Sequence, residues 1–460
     1  MQIAKRLAQH ALALALTTAA PVGAASAQAP ATPRIDSGDT AFVLLCAALV
    51  LMMTAPGLAL FYGGMVQKKN ALTTIMHSFI CMALVSVQWV LIGYSLAFGP
   101  DKGGIIGGLE WAGLRGVGTD PVAYAPTVPH QAFMMFQLMF AIITPALITG
   151  AFAERMKFSA YIVFALAWTT FVYDPVAHWV WAEGGWLRGL GAIDFAGGTV
   201  VHLTSGVSAL VAVFIIGSRQ GWGDGRMVPH SLPLTITGAG LLWFGWFGFN
   251  AGSALSAGTL AASTFVTTNT AAAAAMLTWM LTEWTVRGTP SVMGSASGAV
   301  AGLVAITPAS GFVTPMSALV IGAIAGVVCF GACHVKVRFR YDDTLDVVGV
   351  HGAGGLLGAL LTGVFASKAV NAAGADGLLY GNPGQFATQA LGALAPLLYA
   401  ALVTTIILKV IDATIGLRVH ADDEARGLDL TQHAEAAYAM TREFNIGDSL
   451  PGPRSPTPPP

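Results

Sequence analysis

Apolar runs of about 20 residues, the length that crosses a bilayer as a helix, recur from one end of the chain to the other. Eleven can be placed: 40–62, 72–98, 131–152, 159–181, 199–218, 232–251, 259–286, 291–309, 314–337, 347–366 and 388–414. Between them stand short stretches rich in glycine, proline and charge, as loops require. One further run, Leu7 to Ala20, is of a different kind. Lys5 and Arg6 precede it and Ala25-Ser26-Ala27 follows it. A charged start, a short apolar stretch and an A-x-A site describe a signal peptide over residues 1–27, with Gln28 as the mature N-terminus. An uncleaved first helix is the alternative.

Charge orients the spans. With the N-terminus outside, the inner loops hold Lys68, Lys69, Arg155, Lys157, Arg219, Arg226, Arg287, Lys336, Arg338 and Arg340. The outer loops hold Lys102, Arg115, Arg188 and Lys368. This asymmetry obeys the positive-inside rule and agrees with the signal peptide. It puts residues 415–460 in the cytoplasm as a C-terminal tail and the protein in the inner (plasma) membrane. Eleven divides as five, five and one. Two five-helix halves that enter from opposite sides form an inverted repeat with a pathway between them. The expected fold is therefore an all-α polytopic membrane protein of eleven transmembrane helices, an inverted 5+5 repeat plus one, over residues 28–414.

Composition narrows the class. Apolar residues make up 55% of the 460, charged residues 10%. Soluble domains carry about 25% charge, so a soluble enzyme or a disordered scaffold fits poorly. A net charge of −1 offers no field for nucleic acid. Cys46, Cys81, Cys329 and Cys333 lie in apolar runs and read as small buried hydrophobes. Glycines spaced by four, such as Gly294, Gly298 and Gly302, or Gly354 and Gly358, suit close helix packing in lipid.

Few polar groups interrupt the spans. His202 and His351 stand just inside the fifth and tenth, where an imidazole needs a partner or a cavity. Gly198 and Gly206 flank His202 by one turn, and Gly355 follows His351, so another helix can approach closely. Asp194 introduces one span and Asp346 the other, which hints at the repeat. Two readings stay open for the histidines, a shared pore site and a structural role; two histidines alone make an incomplete zinc site. Asp194 reads as a helix cap, a cation-site carboxylate, or both. Phe136 and Phe140 share a face. Tyr173 and Trp181 bracket the outer end of the fourth span. Trp246, Phe249 and Ser253 follow at i, i+3, i+7. Such aromatics serve as interfacial anchors or as a cage for a small cation.

At these residues the chain resembles the ammonium transporter family, the Amt, Mep and Rh proteins, and most of all the bacterial Amt branch. The similarity lies in Pro56-Gly57-Leu58-Ala59-Leu60-Phe61-Tyr62-Gly63-Gly64, in Asp194 through His202 (DFAGGTVVH), in Trp246 through Ser253 (WFGFNAGS) and in Gly349-Val350-His351-Gly352. The resemblance implies a homotrimer with one pore per subunit that conducts ammonium or ammonia. It implies that Phe136, Trp181 and Ser253 form an outer recruitment site organised by Asp194. Phe140 and Phe249 would be gate rings, His202 and His351 twin pore histidines, with Tyr173 and Trp246 in support. Trp181 with Ser253 favours the Amt arrangement over an electroneutral Rh-type gas channel. No cofactor is implied. Gly427 to Glu435 resembles the family's cytoplasmic region, which packs beneath neighbouring subunits and cooperates with PII signal proteins. Ala434 stands where that pattern usually has glycine.

Two other functions are weighed. A sensor that reports ammonium through its tail has no appended signalling domain here. A membrane enzyme lacks a nucleophile elbow, an H-E-x-x-H motif or a metal-ligand cluster. N-terminal sequencing of the mature protein is expected to begin at Gln28; a start upstream contradicts cleavage.

Overall fold

Hydrocarbon offers no partners to backbone N–H and C=O groups, so each apolar run must satisfy its own as a helix. The computed structural model describes residues 34–225 and 227–438. The expected signal peptide (1–27), Arg226 and the proline-rich end 451–460 lie outside the described residues.

Among the described residues, ten helices are long and apolar enough to cross a membrane. They are α1 (Ser37–Met65), α2 (Lys68–Phe98), α3 (His130–Phe152), α4 (Phe158–Gly189, interrupted over 182–185), α5 (Gly198–Ile216), α6 (Leu232–Gly252), α7 (Thr259–Arg287), α9 (Pro315–Phe339), α10 (Val348–Phe365) and α11 (Pro383–Thr414). The run expected over 291–309 folds as the shorter helix α8 (Val292–Ile306). It ends early because residues 307–312 leave the helix in turns, with Ala309 N–H on the Ile306 carbonyl. Side-chain caps mark several starts: Asp36 accepts from Asp39 N–H, Ser291 from Gly294 N–H, and Thr314 from Ser317 N–H.

Helix α3 is the centre of the bundle, buried along nearly its whole length, whereas much of α2 faces outward. Apolar side chains such as Leu45, Phe79, Phe171, Phe214, Phe244 and Leu402 stay exposed around the outside, the belt that lipid requires. Close packing uses the glycines. A Cβ on Gly302 would meet the backbone of Ala271, and one on Gly358 the backbone of Ala305. Segment 99–129 forms two small antiparallel hairpins over one face: β1 (Asp101–Lys102) with β2 (Ile106–Gly107), and β3 (Pro121–Val122) with β4 (Ala125–Pro129).

The other face carries the tail, as α12 (Ala421–Arg426) and α13 (Leu428–His433). Both Asp429 carboxylate oxygens cap α2 by accepting from Leu72 and Thr73 N–H. Leu428 N–H donates to Asn70, and Lys69 donates to the Glu424 and Ala425 carbonyls. Glu424 in turn accepts from Gln220 N–H and Arg418. Beside this, Arg219 joins Glu154 and Asp342. Burial opposes ionisation of Asp342, but the two-pronged Arg219 overcomes it and holds the carboxyl below its ordinary range. Residues that served as topology markers in the sequence are thus ties between loops. Ala434 takes the left-handed conformation (φ 55°) that glycine would adopt more easily, so the turn survives the substitution.

Candidate functional site

Three of the predicted site residues, Asp194, His202 and His351, stand on two short π-helical turns and the segments leading into them. One is Gly198–Leu203, at the start of α5, and holds His202. The other is Val348–Gly352, at the start of α10, and holds His351. Such turns need widened backbone, and single ones cluster at functional sites.

The two turns are built alike. Asp194 caps the first: Oδ1 accepts from Gly197 and Gly198 N–H, and Oδ2 from Thr199 and Val200 N–H. The second is capped by Asp343, whose Oδ2 accepts from Val348 N–H. Each cap precedes its histidine by the same interval. Three residues after each cap stands a left-handed residue, Gly197 (φ 111°) or Asp346 (φ 60°). Four residues after each histidine comes Gly206 or Gly355. The sequence pairing of Asp194 with Asp346 is therefore corrected: the counterpart is Asp343, and Asp346 instead pairs with Lys336. Burial pushes Asp343 up to about 7, against the pull of Lys336.

Asp194 lies at the hairpin face and Asp343 beside Asp342 at the tail face, so the turns run in opposite senses. Their helices cross at the glycines. A Cβ on Gly206 would strike the backbone of Gly352; one on Gly355 would meet the Leu203 nitrogen at 2.7 Å. This approach brings His202 Nδ1 to 3.2 Å from His351 Nδ1, with both rings buried. One ring must donate its Nδ1–H and the other accept. Whichever does so, one Nε2 is left as a donor and the other as an acceptor. Around them lies a cavity of about 10 Å³, lined otherwise by Met53, Leu58, Phe61, Ile143, Leu147, Leu242, Trp246 and Val300. That is room for about one water-sized molecule.

A column of rings leads from this cavity to the hairpin face. His202 stacks on Trp246 at 5.3 Å and on Phe249 at 5.9 Å. Phe249 meets Phe140 at 4.3 Å, and Phe140 meets Trp181 edge-on at 5.9 Å. The Phe140–Phe249 contact separates the small cavity from a mouth of about 180 Å³. Trp181 and Ser253 line the mouth, together with Phe140, whose expected place was the gate beneath it. Trp181 is held there by its indole N–H on the Asp194 carbonyl, 2.9 Å. Ser253 donates its hydroxyl to the Phe249 carbonyl, which leaves its oxygen lone pairs free.

Three expectations shift in depth. Phe136 does not line the mouth; it packs against Phe140 at 5.0 Å, in the space left by Gly252. Trp246 lies beside the histidines, its indole N–H donating to Thr307. Tyr173 is fully buried against Trp89 rather than at the span end. The sequence reading also missed mouth residues, chiefly Phe133, Tyr124, Arg188 and Gln137. Gln137 Oε1 is buried without a partner. A polar side chain inside an apolar run was the available signal, the same one that marked the histidines.

Known proteins resemble this chain over most of its length. The family model described as the Ammonium Transporter Family matches residues 41–438. The ammonium transporter of Bacillus subtilis is 54% identical over 406 residues, covering 88% of this chain and 99% of that one. Among solved structures, Saccharomyces cerevisiae Mep2 aligns with a TM-score of 0.80 at 38% identity, over 85% of this chain and 89% of that one. A structure described as a sensor Amt protein aligns at 0.79 and 30% identity, over 86% and 98%.

Asp194→Ala leaves four buried N–H groups without their acceptor and is expected to cost about 3 kcal/mol or more of stability. Asp194→Asn, which keeps one acceptor oxygen, is expected to lose less. Thermal unfolding in detergent measures both; wild-type stability in the alanine variant contradicts the capping role.

Proposed function

The chain belongs to the ammonium transporter family and is a multi-pass membrane protein that moves ammonium, and from that premise we propose the route. NH4+ is recruited from outside at the mouth, against the Trp181 ring face and the lone pairs of Ser253 and Gln137. Phe136, Phe140 and Phe249 form the gate beneath. Only neutral NH3 passes it, because a bare cation in an apolar bore loses its hydration without replacement. NH3 matches the water-sized space beside His202 and His351, where one Nε2–H donor and one Nε2 acceptor meet its lone pair and its N–H groups. K+ cannot shed a proton and is refused. The proton crosses separately, so transport is electrogenic.

The observation that carries this reading is the imidazole pair at 3.2 Å in an otherwise apolar cavity beneath a closed column of rings. Asp194 acts as the organiser of the mouth. Its carboxylate is occupied by four N–H groups, which favours positioning of Trp181 and His202 over direct proton removal.

The remaining parts of the reading follow the same premise. The hairpin face is external, the tail face cytoplasmic, and α8 completes eleven spans in the inner membrane. The assembly is a homotrimer. The tail, tied to the 1–2 and 5–6 loops through Lys69, Asn70 and Gln220, is a surface on which a PII protein acts. A sensor role is the second reading, favoured by that tie and by the likeness to the sensor Amt structure.

Replacing both histidines (His202→Ala with His351→Ala) is expected to lower selective ammonium uptake into proteoliposomes by about 10²-fold; unchanged rate and selectivity contradict the pore. A PII protein is expected to be recovered by the full chain and not by one lacking residues 415–460. Equal recovery rejects docking at the tail.

A further inference from the structure

Five π-helical turns interrupt the spans among the described residues. Two carry the pore histidines. Another two, Trp89–Gly93 in α2 and Thr169–Tyr173 in α4, lie on packed neighbours. Where these two meet, four polar side chains are gathered that the transport route does not use: Gln88, Trp89, Tyr173 and Asp174. All four are buried, three of them completely.

Their hydrogen bonding is half complete. Gln88 Nε2 donates to Asp174 Oδ2 at 2.7 Å and to Thr170 Oγ1 at 3.1 Å. The Trp89 and Tyr173 rings approach to 6.2 Å. Four atoms remain buried and without a partner: Gln88 Oε1, Trp89 Nε1, Tyr173 Oη and Asp174 Oδ1. An apolar site would leave none, and each such group is costly inside a membrane. The set is balanced for water. With the carboxyl neutral, the indole N–H and the Asp174 Oδ1–H offer two donors; the Gln88 amide oxygen and the Tyr173 phenol oxygen offer two acceptors. One ordered water has the complementary valence. A bare metal cation would face the indole N–H, so water fits the set better.

No Lys or Arg pairs with Asp174 among the described residues. The site accommodates a neutral carboxyl better than a carboxylate. The titratable groups on the elements around it are Tyr94 on α2, Tyr173 and His178 on α4, Asp194 ahead of α5 and Tyr399 on α11. His178 is occupied by the Ala97 carbonyl and Asp101. Tyr94 is occupied by His130 and Tyr399 by the Phe171 carbonyl. Asp194 is occupied by its four N–H groups. Asp174 and Tyr173 are the pair with free valence.

We propose that Asp174 is a buried proton-carrying group of the transport cycle, held with Tyr173 and ordered water in a polar pocket between α2 and α4. This rests on the electrogenic reading above, in which a proton separates from NH4+ at the mouth. The resting carboxyl gives its Oδ1 proton to the ordered water, which carries it off as hydronium. The carboxylate then recovers a proton from NH4+ through the Tyr173 hydroxyl and water. One N–H bond breaks, one O–H bond forms, and the electron pair stays on nitrogen as NH3. The sum is NH4+ converted to NH3 and a proton, with the carboxyl restored. The bore then transmits only the neutral molecule.

The test uses the full chain in proteoliposomes on a solid-supported membrane, pulsed with ammonium across a pH series. Asp174→Asn keeps the shape and the Gln88 contact but cannot hold the proton. Its ammonium current is expected to fall by about 10²-fold with a flattened pH profile, while Asp174→Glu retains a current. Infrared difference spectra of the wild type are expected to show a carboxylic-acid C=O band that responds to ammonium and vanishes in Asp174→Asn. A merely structural aspartate would not produce that band. Wild-type current and pH profile in Asp174→Asn overturn the proposal. Should that variant fail to fold, wild type with carbon-13 aspartate decides: absence of an ammonium-responsive aspartic-acid band overturns it. A wild type that carries no ammonium current overturns the electrogenic reading and this proposal together, whereas the variant results bear on Asp174 alone.

Discussion

Two helices approach until their backbones touch, and the pathway depends on that contact. Gly206 lies against Gly352, and Gly355 against Leu203, because neither glycine carries a Cβ. Lipid supplies no hydrophobic drive between helices, so close packing of this kind must hold them. The crossing sets the distance between His202 and His351, and the π-helical turn on each side sets the direction of each ring. Each turn begins at a capping aspartate, and the two caps sit at opposite faces of the membrane domain. The inverted repeat is therefore concentrated in a short constellation: cap, left-handed residue, histidine, glycine.

From that centre the rest of the pathway is placed by stacking. Trp246 and Phe249 lie along His202, Phe140 on Phe249, and Trp181 on Phe140. The column divides the path into a mouth with polar acceptors and a dry space with one polar pair. A bare cation in the second would lose its hydration without replacement. Asp194 links the two zones, since its carboxylate caps the turn that bears His202 while its carbonyl holds the Trp181 indole. On the opposite face, the Arg219, Glu154 and Asp342 cluster binds neighbouring loops, and the tail packs beside it.

Much of this was legible in the sequence, for a physical reason. Polar groups are so costly in hydrocarbon that His202 and His351 stood out, and small residues beside them foretold a close crossing. Depth was less legible. Trp246 and Ser253 are seven residues apart, about 10 Å along a helix, so they cannot share one level. Tyr173 lies about 12 Å below Trp181 by the same measure. Spacing showed which face these residues share, not how far down it they sit. Asp346 stands nearer the apolar run than Asp343 does, although the interval from Asp194 to His202 recurs from Asp343 to His351. The length of α8 also escaped, because Thr307 and Pro308 end the helix inside a run that remains apolar. The Gln88, Trp89, Tyr173 and Asp174 group could not be seen at all, since its members meet only when α2 and α4 pack.

The central claim is that ammonium is admitted as a cation and crosses the bore as a neutral molecule, with its proton carried separately. Wild-type protein in proteoliposomes on a solid-supported membrane tests this most directly, pulsed first with ammonium and then with potassium at equal concentration. The account predicts a current for ammonium that tracks uptake, and none for potassium. Equal currents for the two ions, or ammonium uptake without current, would contradict it.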